Sequence, residues 1–201
     1  MPRPRNEHLP NEGFTPEFLR ALTLIGEAME DVATAGHARP VLVGGAALEL
    51  WTTGRYVTGD FDLVSPDPGP MEAALLRRGF QREDRAGHLL RGLYHPDLGF
   101  GIEFVSGLLF DGLADRTRLR LVGVADSSRV QVIPIEDVIA DRLGQFVADR
   151  GGAREMLDQA RLALAFATDV DRAYLDKRIR QETAKEMGLA DLERLVGDGN
   201  D

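Results

Sequence analysis

An α+β fold is predicted, closed by a C-terminal segment made only of helices. Three observations carry this. The first 80 residues alternate helix-like apolar periodicity with short buried strands, in the order helix, strand, helix, strand, helix. Several short alternating or apolar stretches follow, separated by turn residues, and read as strands. Beyond Pro134 every apolar pattern is helical, which separates an α+β core from a helical segment.

Taken in order, residues 1–12 (MPRPRNEHLPNE) are expected to be a flexible lead, 13–133 the core and 134–197 the helical segment. In TPEFLRALTLIGEAMEDVATAG, Thr15 is placed to cap a helix. Pro16 stands at its first position, and Phe18, Leu22, Ile25, Met29 and Val32 line one face up to Gly36. PVLV is a buried strand stopped by Gly44-Gly45, AALELWTTG a helix closed by Gly54, and DFDLV the next strand before the turn SPDPGP. GPMEAALLRRGF reads as a helix with a glycine cap at Gly79. FQRED, HLLRGLYH, FGIEFVSG, RLRLVGVA and VQVIPI are strand-like. IEDVIADRLGQFVAD, GAREMLDQARLALAFA, DRAYLDKRIRQETAKEM and LADLERLV are helical.

Composition excludes several classes. The chain has 43% apolar and 28% charged residues, as globular proteins do. It contains no cysteine, which rules out disulfides, thiolate zinc sites and a cysteine nucleophile, and fits a reducing cytoplasm. The first residues lack the apolar stretch of a signal peptide, and no apolar run is long enough to span a membrane. The expectation is a soluble cytoplasmic protein with no membrane partner. The net charge is -9, and both parts are acidic, with 15 acidic and 10 basic residues from Pro134 onward and 18 and 14 before it. No basic block tracks an extended duplex nucleic acid, although a small basic pocket for one nucleotide or one RNA end fits the composition.

The chemistry concentrates in VLVGGAALELWTTGRYVTGDFDLV. Residues two apart on a strand share a face, so Asp60 and Asp62 project together while Phe61 and Leu63 enter the opposite layer. Adjacent carboxylates repel, and the pair is tolerated when a divalent cation sits between them. Mg²⁺ is held by one or two carboxylates plus substrate phosphates. Glu103, between Ile102 and Phe104 in GIEFV, is a third candidate if its strand neighbours the first. Three such carboxylates suit two-metal phosphoryl transfer. The same pattern also fits a half-exposed strand with a solvated polar face. Gly44 and Gly45 join a strand to a helix, where glycine allows close approach and free helix N–H groups can meet a phosphate. A tight turn gives the same pair.

Together these residues resemble the nucleotidyltransferase superfamily of the polymerase-beta type. Its signature is a small-residue pair opening a helix, then Asp-x-Asp on a strand, then a carboxylate on a later strand. Gly44 and Gly45, Asp60 and Asp62, and Glu103 occupy these places. Arg55, Thr58, Asp60 and Asp62 are similar to the Arg-x-x-Thr-x-Asp-x-Asp run of small bacterial members, including abortive-infection type IV toxin-like nucleotidyltransferases. IPIEDVIADRL resembles the opening of the helical segment that follows the core in such proteins, with Arg142 where the family commonly has lysine. The resemblance covers about residues 40–165.

It implies a mixed β-sheet with flanking helices and transfer of a nucleoside monophosphate from an NTP to a hydroxyl. Mg²⁺ would lie on Asp60, Asp62 and Glu103, with Glu103 helping to deprotonate the acceptor. Gly44, Gly45, Arg55, Thr58 and Arg142 would contact the nucleotide. The implied acceptor is an RNA end, a protein side chain or a small molecule such as an aminoglycoside. A toxin would have an antitoxin protein as partner. The same fold kept as a non-catalytic binding module is the alternative. Trp51 reads as packing rather than base stacking, the four histidines as ordinary, and DKRIRQETAKEM as a solvated helix face.

Overall fold

The computed structural model describes residues 6–8, 12–83 and 92–197. It divides into two compact units, Met1–Ile133 and Pro134–Asp201.

The first unit opens with β1 (Asn6–His8) and α1 (Pro16–Thr34). As expected, Thr15 caps α1, accepting the Phe18 N–H at 3.1 Å, with Pro16 in the first turn. All five apolar face residues of α1 are buried. Next come β2 (Val41–Val43), α2 (Gly44–Trp51), β3 (Asp60–Val64) and α3 (Gly69–Leu76). The strands β4 (Gln81–Arg82), β5 (Leu93–Tyr94), β6 (Gly101–Ser106), β7 (Arg120–Ala125) and β8 (Ser128–Val132) complete the unit. The strand-like stretches FQRED and HLLRGLYH extend into residues 84–91, which lie outside the described residues.

The strands form one mixed sheet in the order β1-β7-β8-β2-β3-β6-β5-β4. The pairs β1–β7, β2–β8 and β3–β6 are parallel and the others antiparallel. Within the lead expected to be flexible, Asn6–His8 instead joins the sheet edge beside Leu121–Gly123. Main-chain hydrogen bonds make such an addition, and they leave no apolar alternation for a sequence reading to find. α1 packs on the sheet through its apolar face. Phe18 stacks on Phe61 of β3 with ring centres 5.3 Å apart, and Phe61 meets Phe100 edge-on at 5.3 Å. The strand carrying both aspartates is therefore pinned to the core by the residue between them.

The second unit contains α4 (Ile135–Ala148), α5 (Arg154–Phe166), α6 (Arg172–Glu182) and α7 (Leu189–Gly197). Val138, Ile139, Leu143, Ala160, Leu175, Ile179 and Leu192 build its core. The predicted helix over 171–187 stops at Glu182. Ala184 and Lys185 turn left-handed, and the Thr183 hydroxyl accepts the Met187 N–H at 3.1 Å. α6 is also not simply a solvated face. Arg178 is fully buried, donating from Nε to Asp137 Oδ1 at 2.6 Å, from Nη1 to Gln181 at 3.0 Å, and from Nη2 to Glu182. Tyr174 donates its hydroxyl to the same Asp137. Among the described residues no helix is long and apolar enough to cross a membrane.

Candidate active site

The site is assembled where β2 ends and β3 runs beside it. All three β2 residues are buried, and the chain passes directly from Val43 into α2 through Gly44, whose φ is +64°. α2 thus begins at the first glycine, two residues earlier than expected. The antiparallel register sets Val43 opposite Asp62. A Cβ on Gly44 would lie 2.1 Å from Asp62 Oδ2, and one on Gly45 2.4 Å from the Thr58 hydroxyl. The two glycines let these motif side chains pack directly against the turn, and the left-handed backbone at Gly44 favours glycine as well.

β3 alternates as predicted, with Asp60 exposed, Phe61 buried, Asp62 half-buried and Leu63 buried. β6 runs parallel to it, with Gly101 opposite Asp60 and Glu103 opposite Asp62. Neighbouring strands lie about 4.8 Å apart, so Asp62 and Glu103 stand side by side on one face, with Asp60 two residues along. Glu103 is half-buried between fully buried Ile102 and half-buried Phe104. Among the described residues no group of three histidine or carboxylate side chains is gathered closely enough to hold a metal ion by itself. The carboxylates form an open row rather than a cage. Hard oxygen donors in such a row fit a hard divalent cation that takes its remaining ligands from water and phosphate.

Thr58 is buried, and its hydroxyl lies 3.3 Å from both the carbonyl oxygen and Oδ1 of Asp60. Arg55 is exposed on the loop between α2 and β3. Arg142 belongs to the helical unit, where it is buried, with Nη1 3.8 Å from Met156 Sδ and 3.6 Å from the Asp141 carboxylate. Trp51 packs as read, its indole N–H donating to the Ile133 carbonyl at 2.9 Å.

Two features escaped the sequence reading. Glu49, inside the apolar run AALELW, is buried and accepts the Thr58 backbone N–H at 2.7 Å. Burial pushes its carboxyl above the ordinary value, and the Thr58 hydrogen bond opposes this. A carboxylate flanked by leucines in a helix of that composition was the available signal. The second feature is a cavity of about 520 Å³ on the β5 side of the row. Asp60, Glu83 and Glu103 line it together with Tyr94, His95 and Phe100, and no lysine or arginine is among its described lining residues. Sheet order places the glycine pair on the β2 side of the carboxylates and this cavity on the β5 side.

No protein-family model matches the chain. Nor does any curated protein sequence match it. Solved structures do. An antigenic nucleotidyltransferase-like protein from Paracoccidioides brasiliensis superposes with a TM-score of 0.57 at 13% identity, over 91% of this chain and 93% of that one. The fold is that of nucleotidyltransferase-like proteins. The antibiotic-resistance factor ANT(2'')-Ia is similar with a TM-score of 0.49 at 16% identity, over 90% of this chain and 96% of that one. This fold agrees with the mixed sheet with flanking helices that the sequence resemblance implied.

Proposed function

We propose that this protein is a Mg²⁺-dependent nucleotidyltransferase that moves a nucleoside monophosphate from an NTP to a hydroxyl acceptor. The observation that carries the proposal is the interlock of Gly44 and Gly45 with Asp62 and Thr58, in register with Glu103. A strand carrying a merely solvated polar face has no need of neighbours reduced to hydrogen at both contact points.

Asp60 and Asp62 would hold Mg²⁺ together with the triphosphate, and Glu103 would share it. Bound there, the ion would supply charge stabilisation to the phosphoryl oxygens. Gly44 and Gly45 open a helix and offer their N–H groups to phosphate. The acceptor oxygen forms a bond to the α-phosphorus, the bond from that phosphorus to the bridging oxygen breaks, and pyrophosphate leaves. Glu103 would take the hydroxyl proton on its carboxylate. Arg55, on the exposed loop, would meet the leaving phosphates.

Position favours the cavity beyond Glu103 as the acceptor site. Beyond Asp60 and Glu103, which the metal would engage, its described lining carries one carboxylate, Glu83, and the rings of Tyr94, His95 and Phe100. That favours a cationic or neutral hydroxyl compound, such as an aminoglycoside, over the phosphate backbone of an RNA end. The toxin reading, with an antitoxin protein as partner, rests on the sequence resemblance.

The test is label transfer. Purified protein with Mg²⁺ and each α-labelled NTP is offered total RNA, total protein, or a panel of aminoglycosides and amino alcohols, beside Asp60→Ala/Asp62→Ala. Label that appears in the small-molecule panel and needs both aspartates is the expected result. Label in RNA or protein would keep the enzyme and replace the acceptor. No label from any NTP into any acceptor would sink the catalytic reading and leave a binding module of the same fold.

A further inference from the structure

Glu49 is the one buried carboxylate among the described residues of the first unit, and the reaction above does not use it. It stands in the last turn of α2, at the end of the helix where a negative charge is disfavoured. An apolar side chain of similar volume there would avoid the desolvation. Its contacts give a reason for its presence. The Glu49 backbone carbonyl accepts the Gly54 N–H at 3.0 Å, at the start of the loop joining α2 to β3. Its side-chain Oε2 accepts the Thr58 N–H at 2.7 Å, at the end of that loop. Thr58 then places its hydroxyl against Asp60 and fills the space left by Gly45.

We propose that Glu49 is a positioning residue whose side chain clamps the Thr58 end of the 52–59 loop, the Gly54 end being held by its backbone carbonyl, and thereby sets the Thr58 hydroxyl between the Asp60 carboxylate and Gly45. The consequence for metal binding rests on the function proposed above; the clamp itself does not.

Three variants test it: Glu49→Met, which keeps the volume and removes the acceptor; Glu49→Gln, which keeps an acceptor oxygen; and Asp60→Ala. Folding is checked by circular dichroism. Amide hydrogen exchange at Thr58 reports the clamp, and Mn²⁺ affinity by electron paramagnetic resonance reports the carboxylate row. Glu49→Met is expected to stay folded, lose Thr58 protection, and weaken Mn²⁺ binding by about 10- to 100-fold, the usual range for residues supporting metal ligands. Glu49→Gln should restore Thr58 protection and bring the affinity back toward wild type. A folded Glu49→Met with wild-type protection at Thr58 overturns the proposal. So does loss of protection with unchanged Mn²⁺ affinity when Asp60→Ala does weaken it, since the clamp then sets nothing at Asp60. If Asp60→Ala leaves Mn²⁺ affinity unchanged, the metal assignment fails. Thr58 protection lost in Glu49→Met and restored in Glu49→Gln still upholds the clamp in that case.

Discussion

A methyl group on residue 44 would lie 2.1 Å from Asp62 Oδ2, far inside contact distance, on a backbone with φ of +64°. The left-handed conformation alone costs a non-glycine residue about 1–2 kcal/mol. Gly44→Ala should lower stability by at least that much, read from urea unfolding, and displace the Asp62 carboxylate, read as weakened Mn²⁺ binding in the folded protein. Glu49 makes a different prediction. Its folded-state carboxyl lies above its ordinary value of 4.5, because burial outweighs the Thr58 hydrogen bond. The folded state then binds more protons than the unfolded one above that pH, so the Glu49 contribution is full below about 4.5 and falls as pH rises through the folded value. The stability of wild type relative to Glu49→Gln should therefore decline with rising pH over that window; a difference that grows with pH contradicts the assignment. The glycines and aspartates were legible because strand–turn–helix spacing and two-residue alternation are local. Glu49 was not, because its partner amide becomes adjacent only once the loop has closed.

At the scale of elements, α1 was legible from cap to C-terminus because its cap and five apolar positions repeat within one segment. The edge strands were less so, since β4 and β5 have two residues each and β1 has three, too few for alternation to show. What holds α1 to its neighbours is also invisible in sequence. Glu30 on α1 receives Arg39 at 2.6 Å and Arg129 of β8 at 2.8 Å. Burial raises its carboxyl, but the two guanidiniums outweigh it and the net shift is downward from 4.5. A lowered folded value contributes stability above the ordinary value and loses it as pH falls through the folded one. Glu30→Gln should flatten the acid limb of the stability profile, measured by urea midpoints at a series of pH values below neutrality. An acid limb unchanged from wild type would show that the ion pairs do not act on folding.

At the scale of the whole molecule, the two units are stabilised by different chemistry. The first has an aromatic cluster of Phe18, Phe61 and Phe100 beneath the carboxylate row. The second has a fully buried Arg178 bound to Asp137, which the charge run around it disguised as surface. Removing one partner of such a pair costs about 3–5 kcal/mol, because the other is left buried and uncompensated. Arg178→Ala should reach that range in denaturant unfolding, and Arg178→Met with Asp137→Leu should recover much of it. The fold class and the order of elements were legible along the chain; the pairing of β3 with β6, on which the site depends, was an inference from chemistry until the register was known. The central claim is that the row of Asp60, Asp62 and Glu103 beside Gly44–Gly45 receives a metal-bound nucleotide. Calorimetric titration with a non-hydrolysable NTP analogue, with and without Mg²⁺, tests it most directly. The account predicts binding that requires Mg²⁺ and is abolished in Asp62→Ala with the fold intact. Binding that ignores both Mg²⁺ and Asp62, or no binding of any NTP analogue to the folded wild type, would contradict it.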